Sequence, residues 1–156
     1  MAKSDWLTRP LDDEWGEILR AELLSWPQVT GRPMMGALAF FHNQQMLGCY
    51  VNRALSKTKP DWLNRRGEPT HAIVRLRAED AERALKRKTV RPSRLGFDGW
   101  VEIDLTSRRT LEEAVLWFGA AYQHPPPNKS KKRKKKSQKK ARKKISQKTV
   151  KRKMRK

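Results

Sequence analysis

One cysteine, Cys49, stands in 156 residues. An intramolecular disulfide is therefore impossible, and nothing points to an oxidising compartment. Long apolar runs are missing too: the longest, Met34 to Phe41, has eight residues and includes a glycine, far short of the ~20 needed to cross a bilayer as a helix. The opening MAKSDWLTRP lacks the apolar segment of a secretory signal, so the expected setting is soluble and cytoplasmic. Neither GxxxxGK[ST] nor GxGxxG occurs, which leaves nucleotide-dependent chemistry without a foothold. The three histidines, His42, His71 and His124, have no second ligand at metal spacing, and Cys49 has no Cys or His partner at a zinc-finger interval. The expectation is a protein with no cofactor, no metal and no catalytic residues.

Acidic residues are also absent from the region richest in basic ones. Residues 128–156 hold 18 Lys or Arg and no Asp or Glu. Of the chain's 37 basic and 16 acidic residues, 19 and 16 fall before that point, so the net +21 divides into +3 on residues 1–127 and +18 on the tail. The tail has only Ala141, Ile145, Val150 and Met154 as apolar residues, too few to offset the entropy of ordering it. A disordered basic tail is expected, with Ala141, Ile145, Thr149 and Met154 near a helical stripe.

The remaining length suits one domain. Residues 12–26 read as a helix: Asp12, Asp13 and Glu14 favour its N-terminal end, and Trp15, Ile18, Leu19, Leu23 and Trp26 recur on one face. Gly16 weakens that helix and Pro27 stops it. Met34 to Phe41 reads as a strand buried on both faces, since it does not alternate. His42-Asn43-Gln44-Gln45 is a hairpin turn before a strand over Met46 to Val51. Residues 52–70 are punctuated by Pro60, Gly67 and Pro69, with Trp62 and Leu63 as anchors.

His71 to Arg77 alternates, with Ala72, Val74 and Leu76 on one face. Ala78 to Lys88 is a surface helix with Glu79/Arg83 and Glu82/Lys86 four apart. Gly99 to Leu105 alternates again. Thr110 and Glu113 fit a capping box opening a helix that carries Leu111, Ala114, Val115, Phe118 and Tyr122 on one face. Pro125-Pro126-Pro127 is an extended spacer. The order predicts a small α+β domain over residues 10–124, a hairpin or sheet packed by two to three helices, with spacer and tail over 125–156.

Three features invite chemistry. Cys49, in an apolar strand, is expected to be buried and inert rather than a nucleophile. Glu102 and Asp104 share a strand face, and cross-strand pairing with Arg75 and Arg77 is the expectation. Of the six tryptophans, those at helical spacing belong to the core. Trp6 and Trp62 have basic neighbours and could instead stack on unpaired bases.

The tail carries the main signal. Lys131, Lys132, Arg133, Lys134, Lys135, Lys136, Lys139, Lys140, Arg142, Lys143 and Lys144 are the candidate nucleic-acid-binding residues, suited to phosphate contact without base reading. The leading expectation is a non-enzymatic accessory protein on DNA or RNA. The alternative is a protein-interaction module whose tail serves solubility or binds an acidic protein.

Arg32-Pro33-Met34-Met35-Gly36, Phe40 to Met46, Ile73 to Leu76 followed by Glu79-Asp80, and Gly96 to Glu102 occur in the order found in the TfoX N-terminal-domain family. Residues 12–124 resemble that family, with Met35 where Phe is usual. The resemblance implies a small α+β domain, and the family takes its name from a regulator of natural competence.

Overall fold

The computed structural model describes residues 10–11, 13–52 and 67–127. Its elements are α1 (Glu14–Ser25), β1 (Val29–Met34), β2 (Ala37–His42), β3 (Gln45–Val51), β4 (His71–Arg75), α2 (Ala78–Leu85), β5 (Val90–Pro92), β6 (Trp100–Asp104) and α3 (Arg108–Gln123). The six strands form one antiparallel sheet in the order β1-β2-β3-β4-β6-β5. The fold is α+β, as expected. The compact unit runs through Pro126, where the Pro126 carbonyl accepts from Gln45 Nε2 at 2.7 Å and that of Pro125 from Arg77 Nε at 3.2 Å.

All three helices contribute to one core, against Leu38, Phe40, Leu47, Tyr50, Ala72, Val74, Val101 and Ile103 of the sheet. The opposite face carries a second buried group: Ala37, Ala39, Phe41, Cys49, Val51 and Ile73. Burial on both faces explains why Ala37 to Phe41 is continuously apolar. In β3, Leu47 is an extra residue opposite Phe40 and Phe41, a bulge that puts Leu47 and Tyr50 in one core and Cys49 in the other. Gly48 follows because a Cβ there would lie 2.1 Å from the Ile73 carbonyl oxygen.

The expected strand over Met34 to Phe41 is in fact the end of β1, a turn, and β2. Met35 and Gly36, both at positive φ, make the two-residue reversal that matches strand twist. Asn43 and Gln44 do the same in the next hairpin, where the sequence predicts a turn. β1 and β5 are the two strands that periodicity misses. Both are sheet edges and both contain a proline, Pro33 and Pro92. A proline cannot donate to a ladder, and at an edge it discourages pairing with another chain.

The helices also differ in detail from expectation. α1 is capped by Asp13, whose carboxylate accepts from Gly16 N at 3.0 Å, and Trp26 falls just beyond its end. The buried face is Gly16, Leu19, Arg20 and Leu23, leaving Ile18 exposed. α2 stops at Leu85, and the ion pair within it joins Asp80 to Arg83 at 3.3 Å rather than the expected Glu79/Arg83 or Glu82/Lys86 pairs. In α3 the capping box is shifted by one turn. Ser107 is the cap and Thr110 the reciprocal partner, its hydroxyl accepting from Ser107 N at 3.0 Å. Glu113 is engaged elsewhere, by Arg87 and Trp117.

Gly16, in the first turn of α1, is a glycine for a steric reason. A Cβ there would fall 2.3 Å from the Tyr50 hydroxyl and 2.4 Å from its ring carbon. At Gly119, in α3, the nearest atom is Trp26 at 3.9 Å, an ordinary contact. Gly16→Ala should therefore destabilise by about 1–3 kcal/mol through overpacking, although alanine is the better helix former. Gly119→Ala should be neutral or stabilising by up to ~1 kcal/mol. Denaturant midpoints of the two variants decide this, and a stable Gly16→Ala protein would show that α1 does not rest on Tyr50.

Candidate functional site

The tail residues Lys131 to Lys136, Lys139, Lys140, Arg142, Lys143 and Lys144 lie outside the described residues. So do Trp6, Trp62 and Leu63, and the stripe of Ala141, Ile145, Thr149 and Met154. What the structure brings together is a charged cluster on the sheet face away from the helices. The rows Cys49–Ile73–Glu102–Arg91 and Val51–His71–Asp104 run across β3, β4, β6 and β5.

Glu102 is its centre and is 1% exposed. Its carboxylate accepts from Arg91 Nη2 at 3.2 Å, from Arg94 N at 2.7 Å and from Arg94 Nε at 3.0 Å. Arg91 also grips Asp104 with two parallel bonds of 2.7 and 2.8 Å, and Arg94 reaches Glu68 at 2.8 Å. The acids pair, then, but with Arg91 and Arg94 rather than Arg75 and Arg77. Arg75 instead stands opposite Trp100, and Arg77 binds the Pro125 carbonyl. The reason is topological: β5 and the loop after it lie beside β6, and β5 is the strand that periodicity missed.

His71, fully buried, has its Nε2 3.6 Å from Glu102. Burial pushes its pKa below the usual value, with Arg94 and Arg91 acting in the same direction. Glu102 and a hydrogen bond to the Pro69 backbone oppose them without prevailing. The imidazole is thus held neutral.

Cys49 is buried, as expected. Burial pushes its thiol up to about 12, and the nearby Glu102 charge adds to the effect. A thiol at that value is not a nucleophile at neutral pH, and no hydrogen bond among the described residues joins it to a base. A cysteine, a histidine and a carboxylate share this face of the sheet. The thiol is kept protonated and the carboxylate is saturated by arginines. Among the described residues, no group of three or more His, Cys, Asp and Glu is placed to hold a metal ion, and no helix is long and apolar enough to cross a membrane.

The tryptophans at helical spacing serve the core. Trp117 is buried and donates to Glu113 at 2.8 Å, and Trp26 packs edge-on against Tyr122 with centroids 5.4 Å apart. A feature the sequence reading missed is a groove of about 510 Å³, lined by Lys86, Arg87, Lys88, Thr89, Arg109, Glu112, Glu113 and Leu116. Its signal was present as the basic triplet Lys86-Arg87-Lys88, but the expected helix to Lys88 disguised it as a helix end. The chain matches no family model, no curated protein and no solved structure.

Two outcomes follow from the cluster. Because His71 binds its proton less tightly folded than unfolded, its contribution to stability is complete above the unfolded pKa of about 6.5 and is lost as pH falls below it. Urea midpoints should decline from about pH 7.5 to about pH 5.5, by at most ~1.4 kcal/mol per pH unit, and His71→Gln should flatten that slope. An unchanged slope in the variant would assign the titration to another group. Separately, Cys49 should react slowly with a thiol reagent in the native protein and rapidly in denaturant. Fast native labelling would refute the inert thiol.

Proposed function

We propose that this chain is a non-enzymatic, nucleic-acid-associated accessory or regulatory protein, TfoX N-terminal-domain-like, that works in the cytoplasm and adheres to DNA or RNA through its basic tail. The observation that carries this reading is the segregation of charge: 18 basic and no acidic residues in 128–156, joined to a domain of +3. Each phosphate that such a segment neutralises releases condensed counterions, so adhesion is entropic, tight at low salt and indifferent to base sequence. The motif order over residues 12–124 supports the family likeness, and a small α+β unit is what that likeness implies. The lone reduced thiol suits a cytoplasmic setting.

Binding should be steeply salt-dependent. With 6–10 phosphates engaged, affinity should fall by about 10³–10⁵ between 50 and 200 mM salt. Lys→Gln blocks over Lys131 to Lys136 and Lys139 to Lys144 should flatten the slope in proportion to the charge removed. Two unrelated duplexes and one RNA, titrated against full-length protein, make the test. Slopes untouched by the block variants would move recognition out of the tail. Absence of binding at low salt would favour the protein-interaction alternative.

A further inference from the structure

The groove between the α2–β5 turn and α3 concentrates positive charge that the fold does not use. Lys86 caps the C-terminus of α2, and the turn after it is closed by Arg87 N to the Ala84 carbonyl at 2.9 Å and Val90 N to the Arg87 carbonyl at 3.1 Å. Three successive basic side chains are thereby held at one end of the groove. Across it, α3 opens with Arg108 and Arg109 and has no acid in its first turn. Cations at that end oppose the helix dipole, which costs about 0.3–1 kcal/mol each at an exposed site. The acids one turn along, Glu112 and Glu113, offset part of that cost.

The two acids lining the groove do not cancel this charge, because each is already engaged. Glu113 takes two parallel bonds from Arg87, at 2.9 and 3.1 Å, and a third from Trp117 Nε1. Glu112 is paired with Arg108 at 3.1 Å. Lys86 and Lys88 remain, both exposed and without an ion pair among the described residues, and so does Arg109, also exposed, which acts on Glu113 through its charge alone and makes no hydrogen bond to it. Leu116, 54% exposed, gives the groove one apolar wall.

We propose that this groove is a second phosphate-backbone site, in which Lys86, Lys88 and Arg109 contact successive phosphodiesters of a nucleic acid while Leu116 lies against a sugar. The inference rests on the nucleic-acid reading above and extends it from the tail to the folded unit. The groove's volume exceeds what one ion needs and falls within the range of ordinary ligand sites. Its lining has no aromatic ring on which a base could stack, so it suits the backbone rather than a mononucleotide. Joined in one chain to a tail proposed to hold the polyanion, a weak site of three cations gains from the raised effective concentration.

The test uses full-length protein and a salt titration against a short duplex. The triple variant Lys86→Gln, Lys88→Gln, Arg109→Gln should lower the salt slope by about 2–3, at ~0.9 per phosphate contact. A control of equal charge, Arg32→Gln, Arg75→Gln, Arg77→Gln, none of which lines the groove, should leave the slope unchanged. Glu113→Gln keeps an acceptor for Trp117 and releases Arg87, so it should steepen the slope by up to about 1, a gain that misfolding cannot mimic. Equal losses from the groove and control triples, or no gain from Glu113→Gln, overturn the proposal while leaving the tail reading intact. Wild-type protein that binds no duplex at low salt overturns both. Inorganic phosphate or a mononucleotide that shifts Trp117 fluorescence, with the duplex slope unmoved by the groove triple, would make this a small-anion pocket and overturn the backbone assignment.

Discussion

A phenol buried in the middle of a sheet must find an acceptor, and most of this domain is arranged around the one that Tyr50 finds. Tyr50 has no exposed surface and lies in β3. Its hydroxyl donates to Asp13 at 2.5 Å and accepts from Asn52 at 2.9 Å. Burial drives its pKa up, with the Asp13 bond adding to the rise, so the hydroxyl stays a donor. Asp13 is also the cap of α1 and accepts from Thr70 at 3.1 Å, at the entry to β4. One carboxylate thus fixes the start of a helix, the centre of the sheet and the approach of the next strand. Gly16 is the steric consequence, since the ring lies where a side chain would project. Leaving such a group unsatisfied would cost about 1–3 kcal/mol.

The opposite face is organised by a different economy. β5 has three residues and little surface of its own to bury. It is held at the sheet edge by Arg91 across Glu102 and Asp104, while Arg94 ties the following loop to Glu102 and Glu68. A buried carboxylate is tolerated only when it is hydrogen-bonded and paired, and Glu102 meets both conditions.

Charge on this protein therefore falls into two kinds. Ion pairs such as Glu102–Arg94, whose carboxylate is buried, and Glu113–Arg87 and Asp80–Arg83, whose arginines are exposed, join groups of the domain to each other and cancel. In the α2–α3 groove Lys86 and Lys88 are exposed and have no ion pair among the described residues, and the tail's sequence holds 18 cations and no acid. A surface that gathers unpaired cations in this way produces a long-range field suited to a polyanion, strong at low salt and screened within about 8–10 Å at physiological ionic strength.

Composition and periodicity were enough for the tail's charge, the α+β class, the three helices, the hairpin at Asn43-Gln44 and the burial of Cys49, because each is a local property of a few neighbouring residues. They were not enough for β1 and β5. Val29 to Met34 contains Gly31 and Pro33, and Val90 to Pro92 is too short to show a period, so both are strands only because a sheet edge was there to receive them. The partners of Glu102 and Asp104 were illegible for the same reason: Arg91 and Arg94 reach them only once β5 lies beside β6. Gly16 read locally as a weak point in a helix, and its need appears only with Tyr50 underneath. The cations of the groove come from segments some 20 residues apart, and the charge left over there depends on Arg87 and Arg108 having taken the hydrogen bonds of Glu113 and Glu112. Local sequence sets which conformations a segment prefers. Which side chains meet, and which charges are left over, is decided by packing between segments that are distant along the chain.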